Sequence, residues 1–190
     1  GLIRNNSVKS LSMVIDSKVS SAGWATFCEV LSHPSCTIEN LYSRADLDDI
    51  GLNYLGDALI INTSLKYLDL SWNEPIPLEG LRGFVQCLRN PNSSLEQLDL
   101  NYCFIDDEGA IAMIREVHGN VSLKRLSLCG NNVTTRGLVV IFSSLLNGGL
   151  TLEVLNLLEN DINFDALTEE DWRVLTRALC DNSSIGSTFC

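Results

Sequence analysis

Leu65-Lys66-Tyr67-Leu68-Asp69-Leu70-Ser71-Trp72-Asn73 has the spacing Leu-x-x-Leu-x-Leu-x-x-Asn. The spacing returns at Leu95, Leu98, Leu100 and Cys103, at Leu123, Leu126, Leu128 and Asn131, and at Leu152, Leu155, Leu157 and Asn160. Weaker copies run Ile38, Leu41, Ser43, Asp46 and Val8, Leu11, Met13, Asp16. The first positions, 8, 38, 65, 95, 123 and 152, lie 30, 27, 30, 28 and 29 residues apart. Self-similarity at such a period marks a solenoid, in which each unit buries its apolar face against its neighbours.

Each unit opens on a short strand. Leu68 and Leu70, or Leu98 and Leu100, are two apart and so share one face. A turn then leads into a helix, predicted over Ala22–Leu31, Ile50–Ile61, Glu79–Arg89, Asp107–His118, Arg136–Leu146 and Glu169–Cys180. Asp48, Asp106, Thr134 and Thr168 stand where N-caps are needed, and Thr168 with Asp171 reads as a capping box. The acid clusters Asp48-Asp49, Asp106-Asp107-Glu108 and Glu169-Glu170-Asp171 fall on first helical turns, where the helix dipole favours them. They lack the ligand spacing of a calcium loop. Apolar stripes such as Leu138, Ile141, Phe142 and Leu145 give each helix one face for the core.

Parallel strands stack about 4.8 Å apart, whereas packed helices need about 8–10 Å. A stack with one of each per unit must curve, with strands inside and helices outside. The expected fold is a right-handed α/β solenoid of six repeats in a horseshoe arc, residues 1–190 forming one domain. Gly1–Ser7 resembles the helix end that precedes Leu65, and Ile185–Cys190 sits in strand phase. The expectation is a piece of a longer array, or an array whose last strand is degenerate.

After each strand the chain bends, and backbone groups there lack sheet partners. The ladder residues Asp16, Asp46, Asn73, Cys103, Asn131 and Asn160 are placed to serve them. Asn offers a donor and an acceptor, Cys a weak donor, and ionised Asp only acceptors, so the first two repeats are expected to be looser.

Repeats with Leu-x-x-Leu-x-Leu-x-x-Asn/Cys, followed by Gly and an amphipathic helix, resemble the ribonuclease-inhibitor-like leucine-rich repeats. The resemblance covers nearly the whole chain and is sharpest from Leu65 to Leu157. It implies a curved scaffold that binds proteins. The motif specifies the scaffold and leaves the partner open.

The formal net charge is −11, which disfavours non-specific binding to nucleic acid or an anionic membrane. No segment has the apolar length of a membrane span. Seven cysteines, an odd number with no Cys-x-x-Cys pair, read as reduced thiols of an intracellular, cytoplasmic protein. Asn-x-Ser/Thr triplets start at Asn5, Asn62, Asn92, Asn120, Asn132 and Asn182. All but Asn132 fall just before a strand, where Asn suits the helix-to-strand turn. A secreted, glycosylated protein is the alternative.

Residues between the strand leucines face the hollow. The middle units present Tyr42, Tyr67, Trp72 and Tyr102 around Asp69 and Asp99, with Arg44 and Arg125 at the sides. Aromatics beside charge are the usual material of a protein-binding hot spot; equally, strand aromatics support neighbouring strands. Asp69 and Asp99 lack the enclosure that an acid–base pair needs. His33 and His118 lie at helix ends, out of phase with any nucleophile. No phosphate loop, zinc spacing, metal site or cofactor motif occurs, and no small-molecule substrate or nucleic-acid partner is expected. The leading expectation is a non-catalytic module that grips a protein on its concave face. The alternatives are an assembly subunit docking by its ends or helices, and a regulator of a small GTPase.

Overall fold

The computed structural model describes residues 7–14, 19–73, 75–146 and 152–181. The ladder expectation at Asp16, the triplets at Asn5 and Asn182 and the readings of both chain ends lie outside them. Among the described residues, six strands alternate with six α-helices: β1 (Ser10–Val14), α1 (Ser21–Leu31), β2 (Asn40–Arg44), α2 (Asp49–Ile61), β3 (Tyr67–Asp69), α3 (Leu78–Phe84), β4 (Gln97–Asp99), α4 (Asp107–Val117), β5 (Arg125–Ser127), α5 (Thr135–Leu145), β6 (Val154–Asn156) and α6 (Glu169–Asp181). The strands form one parallel sheet in chain order, with Leu11, Leu41, Leu68, Leu98, Leu126 and Leu155 in register. This is the expected α/β leucine-rich repeat solenoid.

The leucine spacing places the core between sheet and helices. Leu68, Leu70, Leu98, Leu100, Leu126 and Leu128 are buried there with Phe84, Met113, Ile114, Leu138 and Ile141. Trp24 and Leu52 extend the same core into the first units. Ser43 occupies a leucine position in the second repeat, buried, with its hydroxyl unpaired.

Helix starts follow the capping residues. Asp48 and Asp106 accept from Gly51 N–H at 2.9 Å and Gly109 N–H at 3.0 Å. Thr168 and Asp171 close the expected box: Thr168 N–H donates to Asp171 at 2.9 Å and Asp171 N–H returns to Thr168 Oγ1 at 3.2 Å. The second acid of two clusters serves the next unit. Asp49 accepts from Gly80 N–H at 2.9 Å, and Asp107 accepts from Thr134 N–H and Oγ1, both at 2.7 Å. The helix expected over Glu79–Arg89 is divided into α3 and a tighter 3-10 turn over Val85–Arg89. Here α2 comes close: a Cβ on Gly56 would stand 3.0 Å from the Phe84 backbone.

Helix-to-strand turns carry a second set of asparagine bridges. Asn62 Oδ1 accepts from Ser64 and Leu65 N–H at 2.9 and 2.8 Å, while its amide donates to Leu31 O of the preceding unit at 2.7 Å. Asn120 repeats this with Ser122, Leu123 and Leu88 O. Both side chains are buried in these bonds, whereas Asn92 and Asn132 are exposed.

Candidate functional site

The ladder holds the turns that carry the site. Asn73 Oδ1 accepts from Ala45 N–H at 2.9 Å, and its amide donates to Ser43 O and Leu70 O at 3.0 and 2.6 Å. Asn131 accepts from Cys103 and Ile105 N–H at 3.1 and 2.9 Å and donates to Leu100 O at 2.8 Å. Asn160 accepts from Val133 N–H at 2.9 Å and donates to Leu128 O at 2.8 Å. Cys103 Sγ donates to Leu70 O at 3.2 Å, and burial pushes its thiol up to about 12.

Asp46 departs from expectation. Ala45, 0% exposed, holds the inward place, and half-buried Asp46 follows it at φ 41°. The second unit lacks one residue between Ser43 and the ladder place. Its strand stays extended, so the inward alternation 41, 43, 45 arrives one residue early. Ala45 accordingly does not join the outward column of Trp72 and Tyr102.

The outward residues stand in register: Tyr67 beside Gln97 and Arg125, and Tyr42 beside Asp69, Asp99 and Ser127. Two clusters result. In the first, Tyr42 and Tyr67 meet edge to face at 5.1 Å. Tyr67 Oη donates to Asp99 Oδ2 at 2.7 Å, Gln97 Nε2 donates to the same carboxylate at 3.2 Å, and Ser71 N–H donates to Asp69 Oδ1 at 2.8 Å. Burial, with Asp69 nearby, holds the Asp99 carboxyl above its ordinary range against the lowering effect of these donors. Burial and Asp99 together raise the Tyr67 phenol.

In the second cluster Trp72 lies on Tyr102, with centroids 3.9 Å apart and planes 16° from parallel. Arg44 covers the Trp72 ring at 5.9 Å, and Tyr102 rests on Gly130, where any Cβ would strike its ring. Tyr102 Oη donates to Glu159 Oε2 at 2.6 Å, and this bond is the first cause that raises its phenol to about 12. Trp72, Tyr102, Phe104 and Glu159 have φ values of 62°, 54°, 58° and 55°. The left-handed region costs an L-residue about 1–2 kcal/mol, and its neighbours hold each side chain there. Trp72 is still 54% exposed.

Arg125 is exposed and forms no ion pair among the described residues. Beyond the aromatics the face becomes polar: Ser127 Oγ donates to Asn101 Oδ1 at 2.6 Å, and Asn156 Nδ2 donates to Ser127 Oγ at 3.0 Å. Gln97, Glu159 and Gly130 were not singled out from sequence. The partners of Gln97 and Glu159 depend on side-chain direction, which the spacing of leucines does not carry. A row of alternating charge, Lys9, Glu39, Lys66, Glu96, Lys124 and Glu153, was also passed over, although it recurs directly after the first position of every unit.

His33 Nδ1 accepts from Ser35 N–H at 3.1 Å within a turn, and His118 Nε2 lies 2.8 Å from Ser144 O in the last turn of α5. The cysteines among the described residues are free. No group of three or more His, Cys, Asp or Glu among the described residues gathers to hold a metal, and no helix among them is long and apolar enough to cross a membrane.

The sequence profile described as Leucine Rich repeat matches residues 62–85, 92–113 and 119–142. The chain is 26% identical over 169 residues to mouse NACHT, LRR and PYD domains-containing protein 4E, spanning 88% of this chain and 16% of that protein. It is 31% identical over 154 residues to mouse NACHT, LRR and PYD domains-containing protein 9B, spanning 80% of this chain and 15% of the relative. Mouse ribonuclease inhibitor is 29% identical over 170 residues, covering 89% of this chain and 36% of the inhibitor. The chain thus spans only a minor part of these relatives. Among solved structures, the leiomodin-1 actin-binding site 2 superposes with a TM-score of 0.59 over 85% of this chain and 91% of that one, at 17% identity, which shows a shared fold.

Proposed function

This chain belongs to the ribonuclease-inhibitor-like leucine-rich repeat proteins, and from that premise we propose that it is a non-catalytic module that grips a protein partner on its concave strand face. One observation carries the reading: the sheet presents Tyr42, Tyr67, Trp72 and Tyr102 together with Asp69, Asp99 and Arg44, fixed in place by contacts with one another. Rings ordered before a partner arrives lose little freedom on binding, and aromatic and arginine side chains supply most hot-spot energy. The fold suits this work, since a row of parallel strands exposes one side chain per unit at each outward position. In this reading residues 1–190 act as one repeat domain inside the cell, where buried thiols such as Cys87 and Cys103 stay reduced.

The test is affinity for a partner identified by cross-linking in native extract. Trp72→Ala with Tyr102→Ala should weaken binding at least about tenfold while the protein stays folded. Equal affinity in the double variant overturns the reading. Exposed Ile50, Tyr54 and Ile61 on α2 favour a second reading, docking through the helices. Substituting them would then abolish association while the concave variants bind normally.

A further inference from the structure

Exposed apolar side chains gather on one helix. Ile50, Tyr54, Ile60 and Ile61 of α2 are 51%, 39%, 47% and 62% exposed. Among the described residues, α1, α3, α4 and α5 expose no large apolar side chain, and α6 exposes Trp172. Leu52, Leu55 and Leu59 bury the inward side of α2, so this helix is apolar on both sides. A helix of that composition is normally covered all round. On its outer side Ile50, Tyr54, Asp57 and Ile61 follow at steps of four, three and four, which is one continuous stripe with a single acid in it.

Towards α3 this helix is in close contact, with Gly56 against the Phe84 backbone. Towards α1 the small side chains of Ala25 and Ala58 leave a groove of about 220 Å³. Tyr54 and Ile61 border it, and each helix contributes one carboxylate to its lining, Glu29 from α1 and Asp57 from α2. Neither helix carries a Lys or Arg. Among the described residues, no cation forms an ion pair with Glu29 or Asp57. Later units differ: Arg82 meets Glu108 at 3.3 Å and Arg89 meets Glu116 at 2.8 Å, so acids on α4 find counterions in the unit before.

We propose that the groove between α1 and α2 takes an amphipathic helix of a protein partner, with apolar side chains at coiled-coil spacing and a lysine or arginine beside them. The proposal names the element that the helix-docking reading leaves open, and it rests on that reading and not on the strand face. Apolar side chains of the incoming helix cover Ile50, Tyr54 and Ile61, and the alanines let it approach closely. Its basic residue supplies the counterion that Glu29 and Asp57 lack. A second copy of this chain is a poor occupant. Two-fold pairing through the groove would set Glu29 and Asp57 against the same acids of the other copy, between chains of net charge −11.

The test uses a stapled helical peptide on an alanine–glutamine background, with leucines at coiled-coil spacing and arginines beside them, and its twin with uncharged citrulline for arginine. Each is titrated into the full chain carrying labelled isoleucine and alanine methyls. The arginine peptide should give saturable NMR shifts at the Ile50, Ile61, Ala25 and Ala58 methyls. Tyr54→Gln with Ile61→Gln should weaken binding at least about tenfold. Citrulline, or Glu29→Gln with Asp57→Asn, should weaken it at least about threefold. All four side chains are exposed, so both double variants should stay folded. Shifts that are absent, that fall on the strand face, or that survive either double substitution would overturn the groove. A dimer in light scattering that Tyr54→Gln with Ile61→Gln dissociates would make a second copy the occupant and overturn the proposal too. If a cross-linked partner is lost by the Tyr54 and Ile61 variant yet held in full by the Glu29 and Asp57 variant, the basic helix falls and the helix-docking reading survives. If both variants hold the partner, both fall.

Discussion

Tyr67 reaches across from β3 to give its phenolic hydrogen to Asp99 on β4, at 2.7 Å. The bond orients a carboxylate that the sheet half-buries, and it draws the Asp99 carboxyl downwards against the effect of burial. Tyr67→Phe should therefore move Asp99 further up, visible in a carbon-13 titration of its carboxyl. Stability should fall by about 0.5–1.5 kcal/mol, the net worth of an ordinary hydrogen bond. An unmoved carboxyl titration would show that Tyr67 does not govern Asp99.

Asn131 accepts from two buried backbone N–H groups and donates to Leu100 O. Asn131→Ala should cost about 1–3 kcal/mol through the groups left unpaired, read as a lower melting temperature and denaturation midpoint. An unchanged melting curve would remove the ladder role.

Gly130 has φ 65°, and the Tyr102 ring fills the place of its missing side chain. Gly130→Ala should lose about 1–2 kcal/mol from the backbone alone and push Tyr102 off Trp72. Near-ultraviolet circular dichroism would report the broken stack, and an unaltered aromatic spectrum would contradict the contact.

Tyr102 titrates near 12 because its hydroxyl donates to Glu159. Its folded value is raised, so the bond's contribution to stability is complete below the ordinary tyrosine pKa of about 10 and disappears as pH rises to about 12. Ultraviolet titration should show this late phenolate, and Glu159→Gln should shift it to lower pH. A titration that Glu159→Gln leaves in place would exclude the carboxylate as the cause.

Ser43 buries a hydroxyl with no partner in a leucine position. Ser43→Ala should raise stability by about 1 kcal/mol by removing that unpaired group. A destabilised variant would mean that the hydroxyl is satisfied in solution.

The fold was legible because the leucine period fixes both the face and the register of every strand. Leu41, Leu68, Leu98, Leu126 and Leu155 had to stack, and the outward columns followed from them. The second unit misled at Asp46 because deleting one residue after Ser43 leaves the leucine pattern intact while moving the turn. The division of α3 from its 3-10 turn depends on how closely α2 approaches, which one-dimensional periodicity does not carry. At the site, sequence placed Tyr67, Asp69, Trp72, Asp99 and Tyr102 on one face. It could not pair Tyr102 with Glu159 or stack it on Trp72, because those contacts arise from left-handed turns and side-chain direction.

The charge row along the strand starts, Lys9 to Glu153, gives the array a spatial unit of two modules. Removing any single interior module would bring two lysines or two glutamates together at the new junction. Removing an adjacent pair keeps the signs in step. Insertion or deletion within the array therefore keeps this rim alternating only when it involves an even number of modules.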